Sequence, residues 1–161
     1  VWAGKQSPDA ADTTYRTNVV NKLRHAVELA EKVGVTVALE YHGNTLTETQ
    51  TSAHQILAEV GSPALKLYWQ PRTGGEFAED LIELEAALPH LSHIHAFHWG
   101  KNGFKDRYPF ADGLNHWKSY LQLAQKAGGE RYVIFEFVRD DQPAQFLADT
   151  KALHTLLSEI Q

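Results

Sequence analysis

Four short segments rich in β-branched and aromatic residues, each separated from the next by a dozen or more residues of helical periodicity, limit this chain to very few folds. Val35 to His42 reads as a strand stopped by Gly43-Asn44, and Ala64 to Gln70 as a second stopped by Pro71 and Gly74-Gly75. His93 to Trp99 and Tyr132 to Val138 are the third and fourth. Residues 13–33, 49–60, 77–88, 115–127 and 142–160 carry helical spacing. In the first of these, Val19, Val20, Leu23, Val27, Leu29, Ala30 and Val33 lie close to one stripe. Residues 100–113, with Gly100, Gly103, Pro109 and Gly113, read as a long loop. Val1-Trp2-Ala3 reads as the tail of one further strand. Strands joined through helices imply a parallel arrangement with right-handed crossovers.

The 161 residues form one expected domain, 1–161, large enough to bury a core without staples. The chain has no cysteine, so disulfides, thiolate zinc sites and cysteine nucleophiles are excluded, and a cytoplasmic setting is expected. Any metal must be held by nitrogen and oxygen. No apolar run approaches the roughly 20 residues a membrane helix needs, so no membrane partner is expected. With 15 Lys+Arg against 20 Asp+Glu, the net charge is −5, which disfavours capture of nucleic acid through counterion release. The opening Val1-Trp2-Ala3-Gly4 and the absence of methionine read as an internal cut.

Strand parity separates the two α/β architectures that remain, since alternate side chains point to opposite faces. Leu65, Leu67 and Trp69 oppose Lys66, Tyr68 and Gln70; Ile94 and Ala96 oppose His93, His95 and Phe97; Val37, Leu39 and Tyr41 oppose Ala38, Glu40 and His42; Phe135 and Phe137 oppose Glu136. Each strand has one apolar face and one that turns polar toward its C-terminal end. A doubly wound sheet should be apolar on both faces; a (β/α)8 barrel keeps polar groups at the C-terminal rim of its interior. The pattern therefore predicts part of a barrel, with Glu40, Gln70, His95 and Glu136 on inward faces at one rim. Carboxylate, imidazole and amide oxygen suit Mn²⁺, Co²⁺, Mg²⁺ or Zn²⁺. Taken singly, such a glutamate is an ion-paired or solvated rim residue and such a histidine a hydrogen-bonded core residue. His42, His93 and His98 fit either substrate contacts or a hydrogen-bonded network, while Trp69, Trp99 and Trp117 either stack on sugar faces or simply pack. Asp80, Glu83 and Glu85 read as a solvated helix face. The chain has no Gly-rich phosphate loop, no G-x-S-x-G elbow and no CxxC.

At Val37-Ala38-Leu39-Glu40, Leu65 through Pro71, His93-Ile94-His95, Arg107-Tyr108-Pro109 through Trp117, and Tyr132 through Phe137, the chain resembles the xylose isomerase-like TIM-barrel superfamily of sugar and sugar-phosphate isomerases and epimerases. The resemblance implies the C-terminal part, about strands four to eight, of a (β/α)8 barrel, with a divalent metal held by Glu40, Gln70, His95 and Glu136. Gln70 departs from the aspartate usual at its position. It implies isomerisation or epimerisation of a small carbohydrate, Glu40 and Glu136 moving protons through an enediolate, with substrate contacts from His42, Tyr68, His98, Trp99 and Arg107. The alternatives are a metal-dependent dehydratase or lyase of inositol-like substrates, a non-catalytic sugar-binding module, and, third, a nuclease. A homo-oligomer or a complementing N-terminal segment is expected to complete the barrel.

Overall fold

The computed structural model describes residues 1–160; Gln161, the last residue of the expected domain, lies outside the described residues. The chain divides into two compact units, Val1–Trp69 with His90–Ser92, and Gln70–Pro89 with the chain from His93 onward.

In the first unit, Asp12 caps α1 (Thr13–Lys32) by accepting the Tyr15 N–H at 2.7 Å, which satisfies a backbone donor the helix cannot. Val20, Leu23 and Val27 are buried. Leu29 and Val33, counted on the same stripe from the sequence, are exposed, because the 3.6-residue period has carried them off it. β1 (Val37–Glu40) and β2 (Leu65–Trp69) pair in parallel, with Val37 opposite Leu65 and Glu40 opposite Tyr68. Between them runs α2 (Gln50–Val60), capped by the Thr49 side chain and stopped at Gly61, whose φ of 74° a side chain would resist. The parity of β2 is as expected: Leu65, Leu67 and Trp69 are buried and Lys66 and Tyr68 only partly. β1 is shorter than the sequence suggests, since the chain leaves the ladder and turns through Asn44 at φ 58°. Residues 1–3 run beside β1, the Val1 nitrogen donating to Ala38 O at 2.7 Å and Glu40 N to Val1 O at 3.1 Å. That is strand-like pairing for the expected strand tail.

The second unit contains α3 (Phe77–Ala87), β3 (Leu91–Ala96) from His93 on, α4 (Leu114–Gln125), β6 (Val133–Phe135) and α5 (Pro143–Ile160). β3 and β6 are parallel, with Ile94 opposite Val133 and Ala96 opposite Phe135. Where the sequence suggested only a loop, β4 (Trp99–Gly100) and β5 (Gly103–Arg107) form an antiparallel hairpin. Gly103 makes the turn at φ 63°, and a Cβ there would lie 2.5 Å from Thr73 Cγ2. A short helical turn at Phe110–Gly113 is held by buried Asp149 of α5, which accepts the Phe110 N–H at 3.0 Å.

Asp80 and Glu83 overturn the reading of α3's acidic residues as a solvated face, for both are buried. Asp80 accepts the Arg72 N–H at 3.0 Å and the Tyr120 hydroxyl at 2.9 Å, while Glu83 pairs with Arg72 at 2.5 Å. Burial nevertheless raises both carboxyl pKa values. Buried acids persist only with such partners.

Candidate metal centre

Three of the residues singled out in the sequence meet within the second unit. Gln70 directly follows β2, His95 lies in β3, and Glu136 directly follows β6, its N–H donating to Ala96 O at 3.3 Å. The Gln70 side-chain oxygen is 2.7 Å from His95 Nδ1. An amide oxygen only accepts, so Nδ1 donates its proton to Gln70, and Nδ1 is the ring nitrogen that an ion held between Gln70 and Glu136 would take in place of that proton. Glu136 Oε2 lies 3.6 Å from the same Nδ1, too long for a hydrogen bond. Both side chains are largely shielded, 17% and 25% exposed. Amide oxygen, imidazole nitrogen and carboxylate form a donor set that fits a divalent cation.

Glu40 closes β1 in the first unit. Its carboxylate accepts the Trp2 indole N–H at 2.8 Å, and the Trp2 ring lies over His42, centroids 4.1 Å apart at 30°. Trp2 has no sequence signal that marks it for this place beyond membership of the short strand tail. His42 Nδ1 is 2.7 Å from Gly43 O, so this ring also carries its proton on Nδ1 and leaves Nε2 as acceptor. The turn after β1 is fixed from beneath. Thr47 donates to Glu40 O at 2.6 Å and Thr45 to His42 O at 2.7 Å, and both threonines are buried.

The other expected substrate contacts are placed as follows. Tyr68 is half-buried in β2. His98 packs on Gly113, where a Cβ would come within 2.7 Å of its Nδ1; burial lowers its pKa, partly opposed by Asp112 and reinforced by His116. Trp99 stacks on Phe97 at 3.7 Å. Arg107 is engaged by protein: it donates to Phe104 O at 2.7 Å, Val138 O at 3.3 Å and Asp141 Oδ1 at 2.5 Å, and lies over Phe137 at 4.6 Å. His98 and Trp99 border a cavity of about 460 Å³ that Arg72, Phe77, Lys101 and Tyr120 also line.

The xylose isomerase-like TIM barrel family matches residues 1–156. The chain belongs to that family. Its parallel strands and helices are thus part of the barrel fold the sequence suggested. This xylose isomerase-like chain is 30% identical over 95 residues to 3-dehydroshikimate dehydratase of Bacillus anthracis, a match covering 58% of this chain and 34% of that protein. The crystal structure of a probable 3-DHS dehydratase involved in petrobactin synthesis, also from Bacillus anthracis, is similar at TM-score 0.77 and 19% identity, over 98% of this chain and 61% of that one. A xylose isomerase-like TIM barrel protein of Mycobacterium smegmatis in complex with magnesium gives TM-score 0.69 at 17% identity, over 94% and 53%. The matches thus span less than two thirds of each of these relatives. No helix among the described residues is long and apolar enough to cross a membrane.

Proposed function

We propose that this chain carries the metal and proton-transfer residues of a lyase that removes water from a small polyhydroxylated carbonyl compound, with Glu40, Gln70, His95 and Glu136 as ligands and Glu40 and Glu136 as the proton-transfer pair. The observation that carries the reading is the meeting of Gln70, His95 and Glu136. The dehydratase named among the relatives favours elimination over the isomerisation or epimerisation of a sugar that the resemblance implied. Both reactions begin by removing a proton α to a carbonyl.

A bound divalent ion supplies Lewis-acid polarisation of that carbonyl and balances the ligand carboxylates. One of Glu40 and Glu136 takes the α proton, and the other gives a proton to the departing β-hydroxyl. A C–H and a C–O bond break, a C=C bond forms and water leaves. The two carboxylates must therefore differ in protonation as the reaction starts. In this reading His42, two residues beyond Glu40 and with Nε2 as acceptor, holds a substrate hydroxyl. A cytoplasmic setting, and a second copy or complementing segment to complete the barrel, belong to the same reading.

The test uses purified protein with Mg²⁺ or Mn²⁺ and 3-dehydroshikimate, loss of water giving an aromatic product followed by its ultraviolet absorbance. Glu136→Gln should keep its far-ultraviolet dichroism and lose turnover by a factor of about 100 or more. Undiminished turnover in that variant removes the mechanism.

A further inference from the structure

We infer that Trp2 is a positioning residue that sets both Glu40 and His42. The inference rests on the proposed role of Glu40 as a metal ligand and names the group that aims it.

Trp2 is 53% exposed. Its backbone is nonetheless fixed. The Val1 nitrogen donates to Ala38 O at 2.7 Å, Glu40 N to Val1 O at 3.1 Å, and Leu46 N to Ala3 O at 3.0 Å, with Ala3 fully buried. The indole makes two directed contacts. Its N–H donates to Glu40 Oε2 at 2.8 Å, which fixes the orientation of the carboxylate. Its face lies over His42, 4.1 Å between centroids, while Gly43 O holds His42 Nδ1 at 2.7 Å. The tilted ring contact restrains the plane of the imidazole and the carbonyl its rotation within that plane, so the direction of Nε2 is set. Indole is the side chain suited to both tasks, since it has a donor-only N–H and a wide face. A hydrogen bond to the oxygen of a ligating carboxylate orients it, and loss of such a partner costs about 10- to 100-fold in metal affinity.

Mn²⁺ titration calorimetry on the whole chain, run beside proton spectra of the histidine rings, tests this. Trp2→Phe keeps a stacking face and lacks the N–H; Trp2→Ala lacks both. Because the side chain is exposed, both variants should fold, with thermal midpoints close to that of the parent. In the parent, the His42 ring protons, assigned by their loss in His42→Asn, should show an upfield ring-current shift. Trp2→Phe should retain most of that shift and bind Mn²⁺ about tenfold more weakly; Trp2→Ala should lose the shift as well. A purely structural role would move neither reading. Parent-like Mn²⁺ affinity in Trp2→Phe, or unshifted His42 protons in the parent, overturns the inference. If the parent binds no Mn²⁺, the ligand role of Glu40 falls together with its positioning by the N–H. Absence of turnover in the parent, with the weaker Mn²⁺ binding of Trp2→Phe and the shift pattern both as expected, would instead overturn the lyase reading and leave Trp2 standing.

Discussion

The side-chain oxygen of Gln70 lies 2.7 Å from Nδ1 of His95, so the amide accepts from the imidazole and directs it. Gln70→Leu removes that acceptor at nearly the same volume and frees the ring to rotate. Divalent affinity, measured by calorimetry with Mn²⁺, should fall about 10- to 100-fold. Gln70→Glu, which restores a negative charge, should raise it.

Arg107 joins β5 to the segment after Glu136 through Val138 O and Asp141. Asp141 is 74% exposed, so the ion pair itself contributes little; the shielded contacts to Phe104 O, Val138 O and the Phe137 ring matter more. Arg107→Lys keeps the charge and loses the fork. Urea unfolding should show a loss of about 1–2 kcal/mol, and amide exchange should quicken around Val138 and Asp141.

Tyr120→Phe deletes one of the two donors to buried Asp80. An acid stranded in this way costs about 1–3 kcal/mol, read as a lower urea midpoint at unchanged slope. Asp80→Asn in the same background should recover part of it, since the amide carries no charge to solvate.

Burial lowers the pKa of His98 and of His90 below the ordinary 6.5, His54 and Lys66 adding to the effect at His90. The unfolded chain therefore binds more protons than the folded one just below pH 6.5, and stability falls as pH drops through that value. Thermal midpoints recorded between pH 7.5 and 5.5 should decline, and His98→Asn should flatten the decline.

The succession of strands and helices was legible because each strand offers one continuous apolar face: Leu65, Leu67 and Trp69 are buried as their alternation requires. The nearness of Gln70, His95 and Glu136 follows from the same rule, each standing at or just past the C-terminal end of a strand. Strand ends were overextended at Tyr41-His42 and Phe97-Trp99, where composition stays strand-like after the ladder stops. The β4–β5 hairpin was invisible because Phe104, Lys105 and Asp106 show no alternation against a core: Phe104 is 53% exposed. Asp80 and Glu83 misled for a related reason. Charge predicts solvent unless a partner from elsewhere, here Arg72 and Tyr120, is known. Trp2 could not be found from spacing, because its two contacts join a three-residue tail to a strand end nearly 40 positions away.

Asp140 and Asp141 both adopt left-handed backbone, at φ 57° and 50°, immediately before α5. Only glycine and asparagine share that tolerance at low cost, and neither would give Arg107 the carboxylate it takes from Asp141 or Arg139 the one it takes from Asp140. Mutagenic libraries aimed at new substrates should therefore leave this pair untouched and spend their diversity on the hairpin tip at Lys101 and Asn102, where the backbone makes no such demand.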